Sequence, residues 1–187
     1  MNRVLVLVVM LFSMQVNAAV IDTTATWSGW INNGWLGSGQ SFTVDAVDTF
    51  FDDITFSFDA ASNGKTFNFL LSDGLNTGST LFSTSFDVNN GYGFIDIDTD
   101  LIAGSTVYAL IDYNGYSGFS AYYQTGVYAG GNSNFGPNGT KVEYQNLDHV
   151  FVANFTEPGQ VAEPGMIGLF FLGLIGLRLS RRYRVCK

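Results

Sequence analysis

The sequence predicts an all-β protein built around an antiparallel β-sandwich of about eight or nine strands. Apolar and polar residues alternate with a period of two in several segments, among them 55–58, 106–113 and 148–155, as in half-buried strands. Turn signals such as Asn63-Gly64, Asn89-Asn90-Gly91 and Asn114-Gly115 separate these segments at short intervals. Asn and Gly supply the positive φ that tight turns require. This number and spacing of strands are typical of a jelly-roll-like sandwich.

The N-terminus has the pattern of a secretory signal peptide. Arg3 precedes an apolar stretch at 4–12, and the small-residue site Val16-Asn17-Ala18 follows. We therefore expect residues 1–18 to form a signal helix that is removed by cleavage after Ala18. A permanent N-terminal helix is the alternative, although the apolar stretch is shorter than the ~20 residues that span a bilayer.

The predicted ectodomain covers residues 19–156. The sole cysteine of the sequence, Cys186, lies in the C-terminal tail. The domain therefore has no disulfide, and its stability must come from its core. Trp27, Trp30 and Trp35 and many Phe and Tyr residues supply bulk for that core. The expected strands lie at 27–30, 40–47, 54–58, 65–71, 80–88, 93–98, 106–112, 120–128 and 150–155.

Three aspartates at alternate positions, Asp96, Asp98 and Asp100, form the best metal candidate. In a strand their carboxylates share one face, where they either bind Ca²⁺ or form a solvated edge that resists aggregation. An EF-hand is excluded because Leu101 and Val107 stand at its sixth and twelfth positions. The solvated edge is the preferred interpretation, and no other cofactor is expected.

The segment 115–139 mixes Gly, Asn and Ser with tyrosines and predicts a strand followed by a long exposed loop. Tyr116 and Tyr128 are flanked by Ser, Gly or other small residues and are the candidate platforms for stacking on sugar rings. The competing interpretation places the nearby Tyr122 and Tyr123 in a strand, with one of the pair in the core.

The sequence has few combinations of residues typical of a catalytic site, and the protein is expected not to be an enzyme. His149 is the sole histidine and shares a predicted strand face with Phe151 and Phe155, which favours a satisfied core or edge residue over a general base. A single histidine also argues against a zinc site. The crowded carboxylates of Asp45, Asp48, Asp52 and Asp53 leave a glycosidase as the catalytic alternative.

The charge distribution separates the exported part from its ends. Between residues 19 and 163 the chain has sixteen acidic residues and only Lys65 and Lys141 as basic ones, a net charge of −14. Such a field repels phosphate backbones, so nucleic-acid binding is not expected. Divalent cations, neutral glycans and basic partners remain possible ligands.

The C-terminus combines three parts in a fixed order. A linker at 157–165 ends in Glu163-Pro164-Gly165, a hydrophobic helix is predicted at 166–180, and a basic tail follows at 181–187. The uncharged run of twelve residues would span ~18 Å, short of the ~30 Å hydrocarbon core. The arginines of this region are expected on the cytoplasmic side by the positive-inside rule. They are Arg178, Arg181, Arg182 and Arg184.

This order of motif, apolar helix and arginine cluster resembles the PEP-CTERM sorting signal, with Ala162 at the place of the first proline of the family motif. The resemblance covers residues 161–187. It implies export through the inner membrane of a Gram-negative bacterium and recognition by exosortase, a membrane protease-transferase of exopolysaccharide producers. It further implies transient membrane anchoring before delivery to the cell surface, biofilm or extracellular matrix. A plain tail anchor is the alternative.

The ectodomain is loosely similar to jelly-roll modules of the carbohydrate-binding type. The similar stretches are Gln40-Ser41-Phe42-Thr43, the segment 101–108 and Asp148-His149-Val150-Phe151. Two hypotheses about function follow. The domain is either a non-catalytic module that binds exopolysaccharide through aromatic faces, or a structural display protein without a specific ligand.

Overall fold

The computed structural model describes residues 18–26, 36–116, 121–137 and 139–158. The expected strand at 27–30, the signal peptide, the sorting motif, the hydrophobic helix and the basic tail lie outside these residues. Within them the fold is all-β and antiparallel, which confirms the predicted class.

Twelve strands occur in the described residues, where the sequence predicted about eight or nine. They are β1 (Ala19–Asp22), β2 (Gly37–Thr43), β3 (Phe50–Ser57), β4 (Thr66–Ser72), β5 (Thr80–Asn89), β6 (Tyr92–Asp100), β7 (Thr106–Asp112), β8 (Tyr123–Thr125), β9 (Ser133–Phe135), β10 (Val142–Tyr144), β11 (Leu147–His149) and β12 (Phe151–Thr156). Short 3-10 turns lie at Thr24–Thr26 and Ala60–Ser62. The strands that the prediction missed, β1, β9 and β10, have three or four residues each. That length is too short for a period-two pattern to stand out. The segment 148–155, where the alternation predicts a strand, is divided between β11 and β12.

Ten of the strands form one curled antiparallel sheet, in the order β1-β12-β3-β6-β5-β4-β7-β2-β9-β10, and β8 pairs with β11 in a separate ribbon. Strands β5 and β6 pair only through Val88 with Gly93 and Asn89 with Tyr92. Their hairpin is therefore the place where the sheet divides into two halves. Asn90 and Gly91 turn the hairpin with φ of 53° and 81°, the conformation predicted from the Asn-Asn-Gly sequence.

Aromatic side chains from both halves of the sheet meet in one core. The ring of Phe42 in β2 lies 5.9 Å from Phe51 in β3 and 5.2 Å from Phe151 in β12, measured between ring centroids. Phe51 stacks on Phe155 at 4.3 Å. All four side chains are buried. Apolar burial of this kind is the main stabilising contribution in a domain without disulfides.

A buried polar layer supplements the aromatic core on the β2 side. The Gln40 side chain donates from Nε2 to Asp148 Oδ1 at 3.1 Å. Its Oε1 accepts from the His149 backbone N–H at 2.9 Å and from Ser133 Oγ at 3.4 Å. The other Asp148 oxygen accepts the backbone N–H groups of residues 127 and 128 at 3.1 and 2.9 Å. Because these groups are buried, each bond also avoids the cost of an unpaired polar group.

His149 is fully buried between Phe56 and Phe135, at centroid distances of 5.8 and 5.5 Å. The core position agrees with the sequence interpretation of His149 as a core or edge residue. Neither ring nitrogen makes a well-directed hydrogen bond with the described residues. Backbone groups of Tyr122 and Gly39 lie close enough to act on the ring, yet desolvation dominates and lowers the pKa of His149 to about 3.

The structure predicts that His149 makes the domain acid-sensitive. Its pKa falls from 6.5 to about 3 on folding, so the neutral ring stabilises the fold fully above pH 6.5. That stability is lost as the pH falls towards 3, by up to about 1.4 kcal/mol per pH unit. His149→Phe, which keeps an aromatic ring between Phe56 and Phe135, should lose less stability over this range. Urea unfolding from pH 7 to pH 3.5 measures both proteins, and equal pH dependence in the two would contradict the assignment.

Candidate functional site

The sorting motif and the basic tail, including Glu163, Pro164 and Gly165 and the four arginines, lie outside the described residues. Their assignment stays a prediction from sequence. Within the part of the chain that the structure describes, no helix has the length and apolar character needed to cross a bilayer.

The aspartate row lies on β6, where Asp96, Asp98 and Asp100 are exposed on one face, as the alternation predicted. Beyond Gly93 the described ladders pair this strand with β3 alone, so the row lies along the outer side of one half of the sheet. Asp98 has a φ of 47° and stands opposite a register shift between Phe51 and Asp53. The row therefore lies at an exposed edge of the sheet, and the choice between a solvated edge and a calcium site stays a prediction.

Carboxylates from β3 face the same row. Asp53 pairs directly with Asp96 and accepts a hydrogen bond from Asn154 Nδ2 at 2.7 Å. Asp52 has a raised pKa, chiefly because burial disfavours its charge, with Asp53 and Asp98 adding to the shift and Thr156 opposing it. No group of three or more His, Cys, Asp or Glu side chains in the described residues has an arrangement that could hold a metal ion.

The four carboxylates proposed for a glycosidase divide into two groups. Asp45 and Asp48 border a cavity of about 200 Å³, and burial together with Asp45 and Glu157 raises the pKa of Asp48. Asp52 and Asp53 instead lie on β3 beside the aspartate row.

Tyr128 packs on the core. Its ring centroid is 5.9 Å from that of Phe42 and 6.2 Å from that of Phe151. Burial is also the main reason for its raised pKa. The remaining surface borders the 200 Å³ cavity with Asp45 and Asp48. The flat face that the sequence interpretation offered to a sugar ring is thus largely used in packing.

Tyr116 is the more open of the two predicted platforms, with 43% of its surface exposed. The ammonium of Lys65 stands 5.2 Å from its ring centroid, which is the geometry of a cation–π contact. A sugar that stacked on this face would have to displace the lysine. Among the residues that the structure describes, neither Tyr116 nor Tyr128 therefore lies in an open aromatic site.

A groove of about 470 Å³ lies at the β5–β6 hairpin and is called here the Tyr92 groove. Tyr92, Tyr122 and Phe58 supply its aromatic rings. Its polar side chains are those of Thr24, Ser57, Asn63 and Asn90. The rest of the lining that the structure describes is apolar or glycine, and none of these described residues carries a charge. Tyr92 is 57% exposed, so its ring is accessible to a ligand. A cleft of this size with few polar groups and aromatic walls is typical of a small-ligand site.

Hydrogen bonds hold the walls of the groove in place. Phe58 N–H donates to the Gly91 carbonyl at 2.8 Å, and Gly91 N–H donates to Asn63 Oδ1 at 2.7 Å, which fixes the hairpin against the 3-10 turn at Ala60–Ser62. On the opposite wall, Tyr122 N–H donates to the Ser57 carbonyl at 2.8 Å. The Tyr122 carbonyl accepts from Val150 N–H, also at 2.8 Å. The site is therefore preorganised by backbone contacts.

Sequence reasoning did not find this groove. Tyr92 follows the Asn-Asn-Gly turn that was predicted, and an exposed aromatic beside a tight hairpin was the available signal. Tyr122 was considered only as a strand residue. Tyr92 and Tyr122 line the same groove because β3 pairs with both β6 and β12. No local sequence pattern reveals this pairing.

Comparisons with known proteins give a similarity of fold. No protein-family model and no curated protein matches the chain. Among solved structures, it is similar to the cysteine protease and lectin-like domains of Cwp84, a surface layer associated protein of Clostridium difficile. The TM-score is 0.54 at 15% identity, covering 75% of this chain and 36% of that one. Clostridial Cwp84 after propeptide cleavage gives 0.53 at 15% identity, with 75% and 40% covered. The match thus spans less than half of each solved chain.

The facing carboxylates predict that Asp96→Asn stabilises the domain. Like charges directly opposite each other across two strands are unfavourable, so removing the Asp53–Asp96 repulsion should gain ~0.2–1 kcal/mol at low salt. Thermal unfolding measures the change, and the gain should shrink at high salt. Asp87→Asn, on the neighbouring strand β5, is the control for general charge removal. If millimolar Ca²⁺ instead raises the Tm of the wild type by several degrees and that of Asp96→Asn by much less, the row is a calcium site.

Proposed function

We propose that this protein is exported to the cell surface or extracellular matrix, is sorted by an exosortase, and acts there as a non-catalytic module that binds exopolysaccharide. In this proposal the curled sheet is the jelly-roll-like sandwich of the binding module. The observation that carries the binding role is the Tyr92 groove, an uncharged, tyrosine-lined cleft on a domain with a strongly acidic sequence.

The chemistry of the groove favours a sugar ligand. Tyrosine rings present flat apolar faces to the C–H faces of sugar rings, while amide and hydroxyl side chains pair with sugar hydroxyls. Tyr92 and Tyr122 supply the first kind of group, and Asn63, Asn90 and Ser57 the second. The lectin-like domains and the surface layer association named for the clostridial structure are consistent with this role, although the similarity itself extends to fold alone.

Sorting rests on the C-terminal sequence. The Glu163-Pro164-Gly165 motif, the short apolar segment and the arginine cluster together resemble a signal that is processed rather than a permanent span. An ectodomain without cysteine is compatible with export, because its core does not depend on thiol chemistry. In the alternative function, the same sandwich is a display protein that keeps the hydrophobic segment as a plain membrane anchor.

If an exosortase processes the chain, the mature protein lacks the residues after about Pro164. Intact-mass measurement on protein purified from the native host should give the mass of a chain without Cys186 and Lys187. Replacement of Glu163 and Pro164 by Ala should leave the tail attached. Recovery of the complete C-terminus on the wild-type mature protein would favour the plain anchor.

Binding through the Tyr92 groove predicts a specific pattern in affinity electrophoresis through the host's own polysaccharide. The wild type should be retarded, and Tyr92→Ala should lose ~10-fold or more in affinity, since stacked aromatic pairs contribute up to ~1.5 kcal/mol beyond the area they bury. Tyr92→Phe retains the ring and should largely restore retardation. Tyr116→Ala is the matched control for an exposed tyrosine outside the groove. A wild type that migrates freely would favour the display role, whereas loss in Tyr116→Ala alone would move the site to the 115–139 region.

A further inference from the structure

We infer that the Tyr92 groove selects neutral, hydroxyl-rich glycan and rejects glycan that carries carboxylate, sulfate or phosphate groups. This inference rests on the proposed glycan-binding function and names the ligand class of the same site. Its starting point is the contrast between the uncharged lining of the groove and the −14 charge of the exported part.

Neither of the two lysines of the exported part is among the described residues that line the groove. The Lys65 ammonium stands over the ring of Tyr116. The Lys141 side chain is buried, and its Nζ donates to the carbonyls of Ile111 and Gly136 at 3.1 and 2.8 Å. Burial lowers the pKa of Lys141 to about 8. Neither lysine thus offers the groove a cation that could pair with an anionic sugar.

The acidic residue nearest to the groove lining in sequence is Asp59, and a carboxylate cannot pair with an anionic ligand. Asp59 precedes the 3-10 turn on the groove wall, and its Oδ1 accepts from Ser62 N–H at 3.1 Å and from Ser62 Oγ at 2.9 Å. The carboxylate thus caps the turn and adds negative charge beside the wall. An anionic ligand would lose hydration on entering the groove and gain no salt bridge in return. The field of the whole domain would also slow its approach.

The polar groups that the groove does offer suit hydroxyls. Each amide of Asn63 and Asn90 carries both a donor group and an acceptor, and the hydroxyl of Ser57 can act in both senses. The Thr24 hydroxyl donates to Asp22 Oδ1 at 2.7 Å and can still accept. Asn63 uses its oxygen to hold Gly91 N–H at 2.7 Å, which orients this amide at the groove. Sugar hydroxyls likewise donate and accept, so they can replace the water on these groups without an unpaired charge.

The test compares chemically matched forms of the host's polysaccharide, with the mature protein purified from the host. Carboxyl groups are first reduced to hydroxymethyl groups, which removes charge from the chain. One portion of this neutral polymer is then succinylated, and another is acetylated to the same degree. Both esters block the same number of hydroxyls, but only succinylation adds carboxylates.

In affinity electrophoresis the carboxyl-reduced and acetylated polymers should retard the protein. The succinylated polymer should bind at least ~10-fold more weakly than the acetylated one. Ala60→Lys, which places an ammonium on the exposed 3-10 turn at the groove, should reduce this difference to ~3-fold or less, and Ala60→Gln should not. Equal retardation by the succinylated and acetylated polymers would overturn the inference while leaving glycan binding intact. Failure of every form to retard the protein would instead refute the proposed function.

Discussion

The buried amide of Gln40 is the interaction on which the rest of the structure depends. It joins β2 to Asp148 and to the His149 backbone, while Asp148 in turn holds the N–H groups of residues 127 and 128. Val150, the residue after His149, donates its backbone N–H to the carbonyl of Tyr122 on the wall of the Tyr92 groove. In a domain without disulfides, this polar layer fixes short strands that bury little apolar surface of their own. It therefore connects the core to the candidate binding site.

The placement of charge follows a different rule from the placement of aromatic bulk. Acidic side chains lie on the outer face of β6 and around the small cavity at Asp45, where they face water. Buried rings from both halves of the sheet fill the interior. The Tyr92 groove has exposed tyrosine and amide groups, and its described lining residues are uncharged. We propose that this separation leaves the groove as an uncharged surface for a glycan.

Much of the fold could be predicted from sequence, because alternation is a local property. The strand expected at 106–112 is β7 within the same bounds, and the aspartate row lies on one exposed face as inferred. Strands of three residues carried too little pattern to be seen. The groove was harder to predict, because its lining residues come from segments that are distant in the sequence. Core packing covers Tyr128 and Lys65 stands over Tyr116, whereas folding brings the turn at Asn90 beside Tyr122.

The most direct test of the account is nuclear magnetic resonance mapping of the isotope-labelled mature protein during titration with short oligosaccharides from the host's neutral polysaccharide. The account predicts that the largest amide shifts fall in segments 57–63, 90–92 and 122–124, with little change at 94–100 or at Tyr116. Shifts centred on the aspartate row or on Tyr116, or the absence of any change at saturating oligosaccharide, would contradict it.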